Sequence, residues 1–312
     1  MPLSSNTKYY AALVVSMFIW GSSWVSIKIV TSISQPMTVG FFRYAIAGLL
    51  FLLLLHSNGV SPRTLFNRDT MPALVLGGIT GVFGFTYLSL VGTRFTTAGQ
   101  ASIIAGINPI TVSFFAYLLH RELLASRGRY LGIVLAFLGI VFVVGIQALL
   151  EFNLDYLAGN MILIISMLSW GVYSSTSKIA MQNLTPVEAT AGSIFVGWFL
   201  FCIGTVTELE SLKQVLLIAE FWWNVIFLGA ISAFFGFLMY FEAVKRIGVT
   251  RTGSFTSLIP LFGTATSIIL LEEQILWTFT VGLVLVVLGI IILNAPGNEE
   301  STETSAHIPS EV

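Results

Sequence analysis

Ten times along this chain of 312 residues, a run of about twenty residues passes with almost no charge. No other feature constrains the fold as tightly. A helix needs roughly 20 apolar residues to cross the hydrocarbon core of a bilayer. Backbone polar groups in lipid must be satisfied within the segment, so runs of this length read as helices and not as strands of a barrel. The runs cover residues 9–30, 36–56, 71–92, 96–119, 128–147, 157–179, 186–207, 222–244, 250–271 and 275–294. The connections are short and leave no room for an extramembrane domain. Charged residues make up only 9% of the chain and hydrophobic ones 56%, whereas a soluble domain carries about a quarter charged residues. The reading is an all-α integral membrane protein, with lipid as its obligatory surroundings. A net charge of −1 argues against a nucleic-acid partner. A single cysteine, Cys202, excludes an internal disulfide and a thiolate metal cluster.

The first run is full length and recurs as an internal run, so it is expected to stay in the mature protein. After Asn294 the sequence turns polar and acidic without Lys or Arg, and residues 295–312 read as a disordered cytoplasmic tail. With the N-terminus in the cytoplasm, ten basic residues fall on the cytoplasmic side and three on the other. That bias predicts that both termini are cytoplasmic, in a bacterial inner membrane or its equivalent.

The chain also repeats itself. Ser16, Met17, Trp20, Gly21, Lys28 and Pro36 match Ser166, Met167, Trp170, Gly171, Lys178 and Pro186 at an offset of 150. Gly84-Phe85 matches Gly236-Phe237, and Pro109 matches Pro260, each proline followed thirteen residues later by a glutamate, Glu122 or Glu273. Gly132 and Gly139 match Gly282 and Gly289. The repeat unit spans five helices, 9–147 and again 157–294. Five is odd, so the second copy is expected upside down relative to the first. Inverted repeats are typical of secondary transporters, which bind substrate near the midplane between the halves.

These features resemble the drug/metabolite transporter superfamily, in particular its ten-helix EamA-like members. The resembling residues are the Trp-Gly phrase of helices 1 and 6, "RYAIAGLLF" from Arg43 in helix 2, the mid-helix prolines Pro109 and Pro260, the glutamates Glu122 and Glu273, and the glycines of helices 5 and 10. The resemblance implies a ten-helix fold and transport of amino acids, other metabolites or toxic compounds. The second copy departs from the first at Ser193, which stands where the first has Arg43.

Trp20, Trp24 and Lys28 share one helix face, as do Trp170, Ser174 and Lys178. Either they line a cavity, or the lysines snorkel to water and the tryptophans sit at the interface. Tyr173 joins the candidate lining. Arg43 lies inside helix 2, where charge is costly, so it is expected to face protein or water. It is suited to a substrate carboxylate, or to helix-end carbonyls in a packing role. Pro109 and Pro260 free the carbonyls of Ala105 and Thr256. They act as hinges beside Gly21 and Gly171, or as static kinks. Gln100 and Asn108 are the amide candidates for a polar ligand. Gly128, Gly132 and Ala136 form a row of small residues that permits close helix approach, within the chain or in a homodimer.

The absences narrow the function. Asp69 and Asp155 fall in predicted loops, and no histidine, metal or nucleophile constellation is suggested at membrane depth. No nucleotide-binding signature appears. The sequence therefore predicts a cofactor-free, metal-free, non-enzymatic carrier that exports or exchanges a small metabolite, with an amino acid or related compound as the leading substrate. A multidrug-type exporter of hydrophobic toxicants is the alternative. Glu242 in helix 8 is the one carboxylate placed to couple transport to protons.

Overall fold

The structure, a computed structural model, describes residues 7–120, 127–145, 154–247, 255–274 and 277–293. Among these residues every regular element is helical. Helix α1 is Thr7–Ile33, α2 is Pro36–Ser57 and α3 is Met71–Arg94. Helix α4 comes in two pieces, Ala98–Ala105 and Asn108–His120. Helix α5 is Arg127–Ile140, continued by a π turn over Val141–Gly145. Helix α6 is Leu154–Ala180 and α7 is Pro186–Thr205. Helix α8 runs as Ala219–Ile226, Phe227–Phe235 and Gly236–Ile247, the middle piece in π form. Helices α9, Leu258–Leu271, and α10, Trp277–Leu293, close the chain.

Seven helical runs are long and apolar enough to cross a membrane, and α5, α9 and α10 are shorter apolar helices. Large side chains such as Phe137, Phe199, Trp223 and Ile269 stand 62–75% exposed. A belt of that kind suits lipid and not water.

Local chemistry fixes the helix starts. Prolines open α2 and α7, where the missing N–H would have had no partner. At α7 the Thr185 hydroxyl accepts from the Glu188 N–H, and the Glu188 carboxylate accepts from the Thr185 N–H, a reciprocal cap. Helix α6 begins at Leu154, so Asp155 lies in its first turn and not in a loop as expected. A carboxylate there is favoured by the helix dipole. Buried hydroxyls are satisfied locally: Ser16 donates to the Ala12 carbonyl at 3.0 Å and Thr93 to the Ser89 carbonyl at 2.7 Å.

The helix pairings come in matched sets. Helix α1 packs on α8 and α9, and α6 packs on α3 and α4. Helix α2 packs on α8, and α7 on α3. Three further pairs, α2 with α7, α4 with α9 and α5 with α10, join a helix to the one five places on.

Glycines set the closest of these contacts. A Cβ on Gly139 would lie 2.6 Å from the Gly282 carbonyl oxygen, and one on Gly289 would lie 2.6 Å from that of Gly132. The small-residue row of α5 is therefore used inside the chain, against α10. Likewise a Cβ on Gly21 would meet the Ile259 carbonyl of α9 at 2.8 Å, and one on Gly171 the Thr111 carbonyl of α4 at 2.8 Å.

Candidate substrate path

Trp20 and Trp170 meet in one aromatic cluster. The Trp20 ring lies 5.3 Å from Phe237 and 5.2 Å from Tyr240, both on α8. Trp170 lies 4.9 Å from Phe85 of α3, 5.2 Å from Tyr173 and 6.3 Å from Phe237. Phe237 thus touches both tryptophans. Trp20 and Trp170 are half-buried, whereas Tyr173 is buried and its side chain is held by those of Ser177 and Thr190.

The cluster is placed by a feature that hydropathy does not show. Helix α3 turns to π form over Gly78–Gly84, and α8 does so over Phe227–Phe235. Each widened stretch ends within two residues of a cluster phenylalanine, Phe85 or Phe237. Its carbonyls also accept from the facing helix. The Trp20 indole N–H donates to the Ser232 carbonyl at 3.2 Å, and the Ser169 hydroxyl donates to the Thr80 carbonyl at 2.8 Å. Single π turns inside helices recur at functional sites. Phe85, Phe237 and Tyr240 had no assigned role in the sequence, although Phe85 and Phe237 were matched as repeat partners.

Other expected residues lie elsewhere. Trp24 is only 4% exposed and packs in an apolar core with Ile103 and Ile104 of α4. Gln100 is buried near the start of α4, where its side-chain carbonyl accepts from the Thr96 hydroxyl at 2.8 Å. Asn108 is half-buried, and its side-chain oxygen has no hydrogen-bond partner. Ala105 and Asn108 flank the turn that divides α4.

Pro109 is the second residue of the piece after that turn, and Pro260 is the third residue of α9, after a 3-10 turn over Phe255–Ser257 that contains Thr256. Each proline therefore lies in the first turn of a described helical segment, and in α4 the interruption falls just ahead of Pro109, where a proline disturbs the helix. A ring that fixes φ and lacks an N–H fits the first turn. Arg43 is 8% exposed in α2. Glu242 is exposed and pairs with Arg246 at 3.3 Å.

At the Lys28 end of the bundle the helix ends are tied together. The Lys28 ammonium donates to the carbonyls of Thr93, Arg94 and Thr96 at 3.1, 3.2 and 2.7 Å. It caps the end of α3, where helix carbonyls lack partners and the dipole favours a cation. This is neither a cavity position nor a snorkelled one. The Glu273 carboxylate accepts from the backbone N–H groups of Ala98 and Gly99 at 2.7 and 2.9 Å, which caps α4. The Arg94 guanidinium donates to the Thr31 carbonyl at 3.1 Å and to the Gln35 side chain at 2.9 Å. The Glu208 carboxylate accepts from the N–H and hydroxyl of Thr38 at the start of α2. A cleft of about 700 Å³ lies at this end, lined by Ser34, Arg94 and Glu208 among others and distinct from the aromatic cluster. The matching Lys178 is exposed, and Glu122 lies outside the described residues.

Among the described residues no group of acidic, histidine or cysteine side chains has the arrangement of a metal site. The cluster offers stacking surfaces and a few hydrogen-bonding groups.

The chain matches the model of the EamA-like transporter family twice, over residues 7–145 and 157–295. It is similar to the uncharacterized transporter YyaM of Bacillus subtilis, 23% identical over 291 residues, covering 91% of this chain and 92% of that one. An uncharacterized transporter of Archaeoglobus fulgidus is 24% identical over 286 residues, covering 92% and 98%. The fold of this chain is similar to that of a solved crystal structure with a TM-score of 0.65 and 18% identity, covering 92% of this chain and 97% of that one. A doubled family match over nearly the whole helical body, on a chain of membrane-spanning helices, identifies the protein as a multi-pass membrane transporter that belongs to the EamA-like family.

Proposed function

We propose that the protein is a secondary carrier that moves a small metabolite by alternating access, in export or exchange. In this reading ten helices span the membrane as two inverted five-helix units, residues 9–147 and 157–294. Both termini are cytoplasmic, and residues 295–312 form a cytoplasmic tail. An amino acid or related compound is the leading substrate. The observation that carries the reading is the aromatic cluster at the junction of α1 and α8 with α6 and α3. Trp20 and Trp170 there have matching positions, and both contact Phe237. Binding sites between repeats are what alternating access requires.

Trp20, Trp170 and Tyr173, with Phe85, Phe237 and Tyr240, hold the apolar body of the solute. Asn108 and the carbonyls near Ala105 and Thr256 orient its polar end. Gly21 and Gly171 let the helices rock at close range, and Pro109 and Pro260 mark where segments pivot. Trp24 and Gln100 support the walls from behind. Glu242 sits in an exposed ion pair with Arg246. Exchange or facilitated diffusion therefore suits the chain better than a buried proton relay.

Counterflow in proteoliposomes tests the carrier reading. Vesicles loaded with unlabelled solute are expected to accumulate labelled solute transiently above equilibrium. A monotonic approach to equilibrium with every solute that crosses would instead describe a channel.

A further inference from the structure

Arg43 brings a positive charge into the helical body that no described side chain neutralises. It is eight residues into α2 and more than nine-tenths buried. Among the described residues it makes no ion pair, and its Nε is buried without a hydrogen-bond partner. No helix-end carbonyl accepts from it there, so the packing role open to it in the sequence is not filled. Its Cζ lies 5.3 Å from the ring of Tyr44, whose hydroxyl is engaged with that of Thr86 at 2.6 Å.

A guanidinium brings five donors and a charge that it does not lose. At membrane depth such a charge is costly and faces protein or water. The chain offers it no counter-charge: all fifteen Asp and Glu residues lie between the apolar runs, near their ends, or in the tail.

The position relates Arg43 to the aromatic cluster. Its backbone carbonyl sits against Gly229 of α8, where a Cβ would be 2.6 Å away. Gly229 is one turn before Ser232, whose carbonyl holds the Trp20 indole. The matching place in the other half is Ser193, whose hydroxyl sits against Gly77, the repeat partner of Gly229. The aromatic walls are thus paired across the halves, and the charge is on one side only.

We propose that Arg43 receives the carboxylate of the transported solute, so that this carrier selects carboxylates over amines and neutral amides of the same shape. The inference rests on the carrier reading above. An Arg–carboxylate pair gives two parallel charge-assisted hydrogen bonds and fixes orientation. A solute with an ammonium group as well would lay it on the ring faces, where cations are attracted. A solute bearing only a cation would meet repulsion from Arg43.

Three probes with the same ring separate the head groups: phenylacetate, phenylacetamide and phenethylamine. Each is titrated against the purified full chain at neutral pH, with thermal unfolding as the readout. Phenylacetate is expected to stabilise the wild type at concentrations about tenfold or more below those the amide needs. Arg43→Gln should lose that preference, and Arg43→Lys should keep part of it, because a lysine holds the charge but not the fork. The preference is read on the wild type itself, so a variant that fails to fold does not shelter the proposal. Stabilisation by the amide or amine as strong as by phenylacetate, no stabilisation by phenylacetate, or a preference that survives in folded Arg43→Gln would each overturn it. Those results leave wild-type counterflow untouched. Absence of counterflow for carboxylate, amine and neutral solutes alike would overturn the carrier reading, and this inference with it.

Discussion

Trp20 and Trp24 stand one helical turn apart on the same face of α1, yet they do different work. Trp20 is half-buried and stacks on Phe237 and Tyr240, whereas Trp24 is sealed in the core against α4. Spacing alone assigns both to one wall. What separates them is the height at which the apolar first piece of α4 crosses α1, and no local pattern encodes that. Their substitution effects should differ accordingly. Trp20→Ala and Trp170→Ala are expected to cut transport about tenfold at matched abundance, through lost area and the roughly 0.5–1.5 kcal/mol of aromatic contact. Flux assays normalised to membrane-inserted protein measure this. Trp24→Ala should instead lower thermal stability, because emptying a core Trp site costs about 3–5 kcal/mol. Transport unaffected in both cluster variants would reduce the repeated Trp-Gly phrase to a packing element. Arg43 was legible as an oddity within an apolar run. Its isolation was not, because that depends on every helix packed around α2.

At the scale of elements, the apolar runs foretold most of the helices, whereas the small-residue row of α5 left open whether its partner was within the chain or in a second copy. Hydropathy could not foretell the π stretches of α3 and α8, because a one-residue shift in the hydrogen-bond ladder leaves composition unchanged. The roles of Lys28 and Glu273 were also hidden, since the helix ends they cap are distant in sequence. Glu273→Gln weakens an acceptor that two N–H groups share, so the start of α4 is expected to loosen by about 0.5–2 kcal/mol. Faster amide hydrogen exchange confined to the start of α4 would report it, and exchange unchanged there would remove Glu273 as a cap. Gly139→Val would drive a side chain into the Gly282 backbone, which cannot step aside. Overpacking of that kind costs about 1–3 kcal/mol, read as a lower unfolding temperature of the purified protein. An unchanged temperature would mean that α5 and α10 do not meet as closely as described.

The whole molecule shows the clearest agreement between sequence and packing. Each match at an offset near 150 residues names two positions, and the helix pairings follow the same correspondence, α1 on α8 and α9 as α6 on α3 and α4. In the proposed arrangement of two inverted five-helix units, both termini lie on the same side of the membrane. Reporter fusions after residue 8 and in the tail are expected to report cytoplasm at both ends. Signals from opposite sides at the two ends would break the even helix count, and periplasmic signals at both ends would reverse the orientation. Alternating access requires the cluster around Phe237 to open to one side of the membrane at a time. The most direct test places Phe237→Cys in a Cys202→Ser background and applies a membrane-impermeant thiol reagent to one side or the other. In the proposed orientation Lys28 lies at the outer end of α1, so with the helix ends there tied together, labelling is expected from the cytoplasmic side in the resting protein. Access should move to the outer side when Lys28→Ala and Glu273→Gln release that end. Labelling from both sides at once, or from neither side in either protein, would contradict alternating access through this cluster.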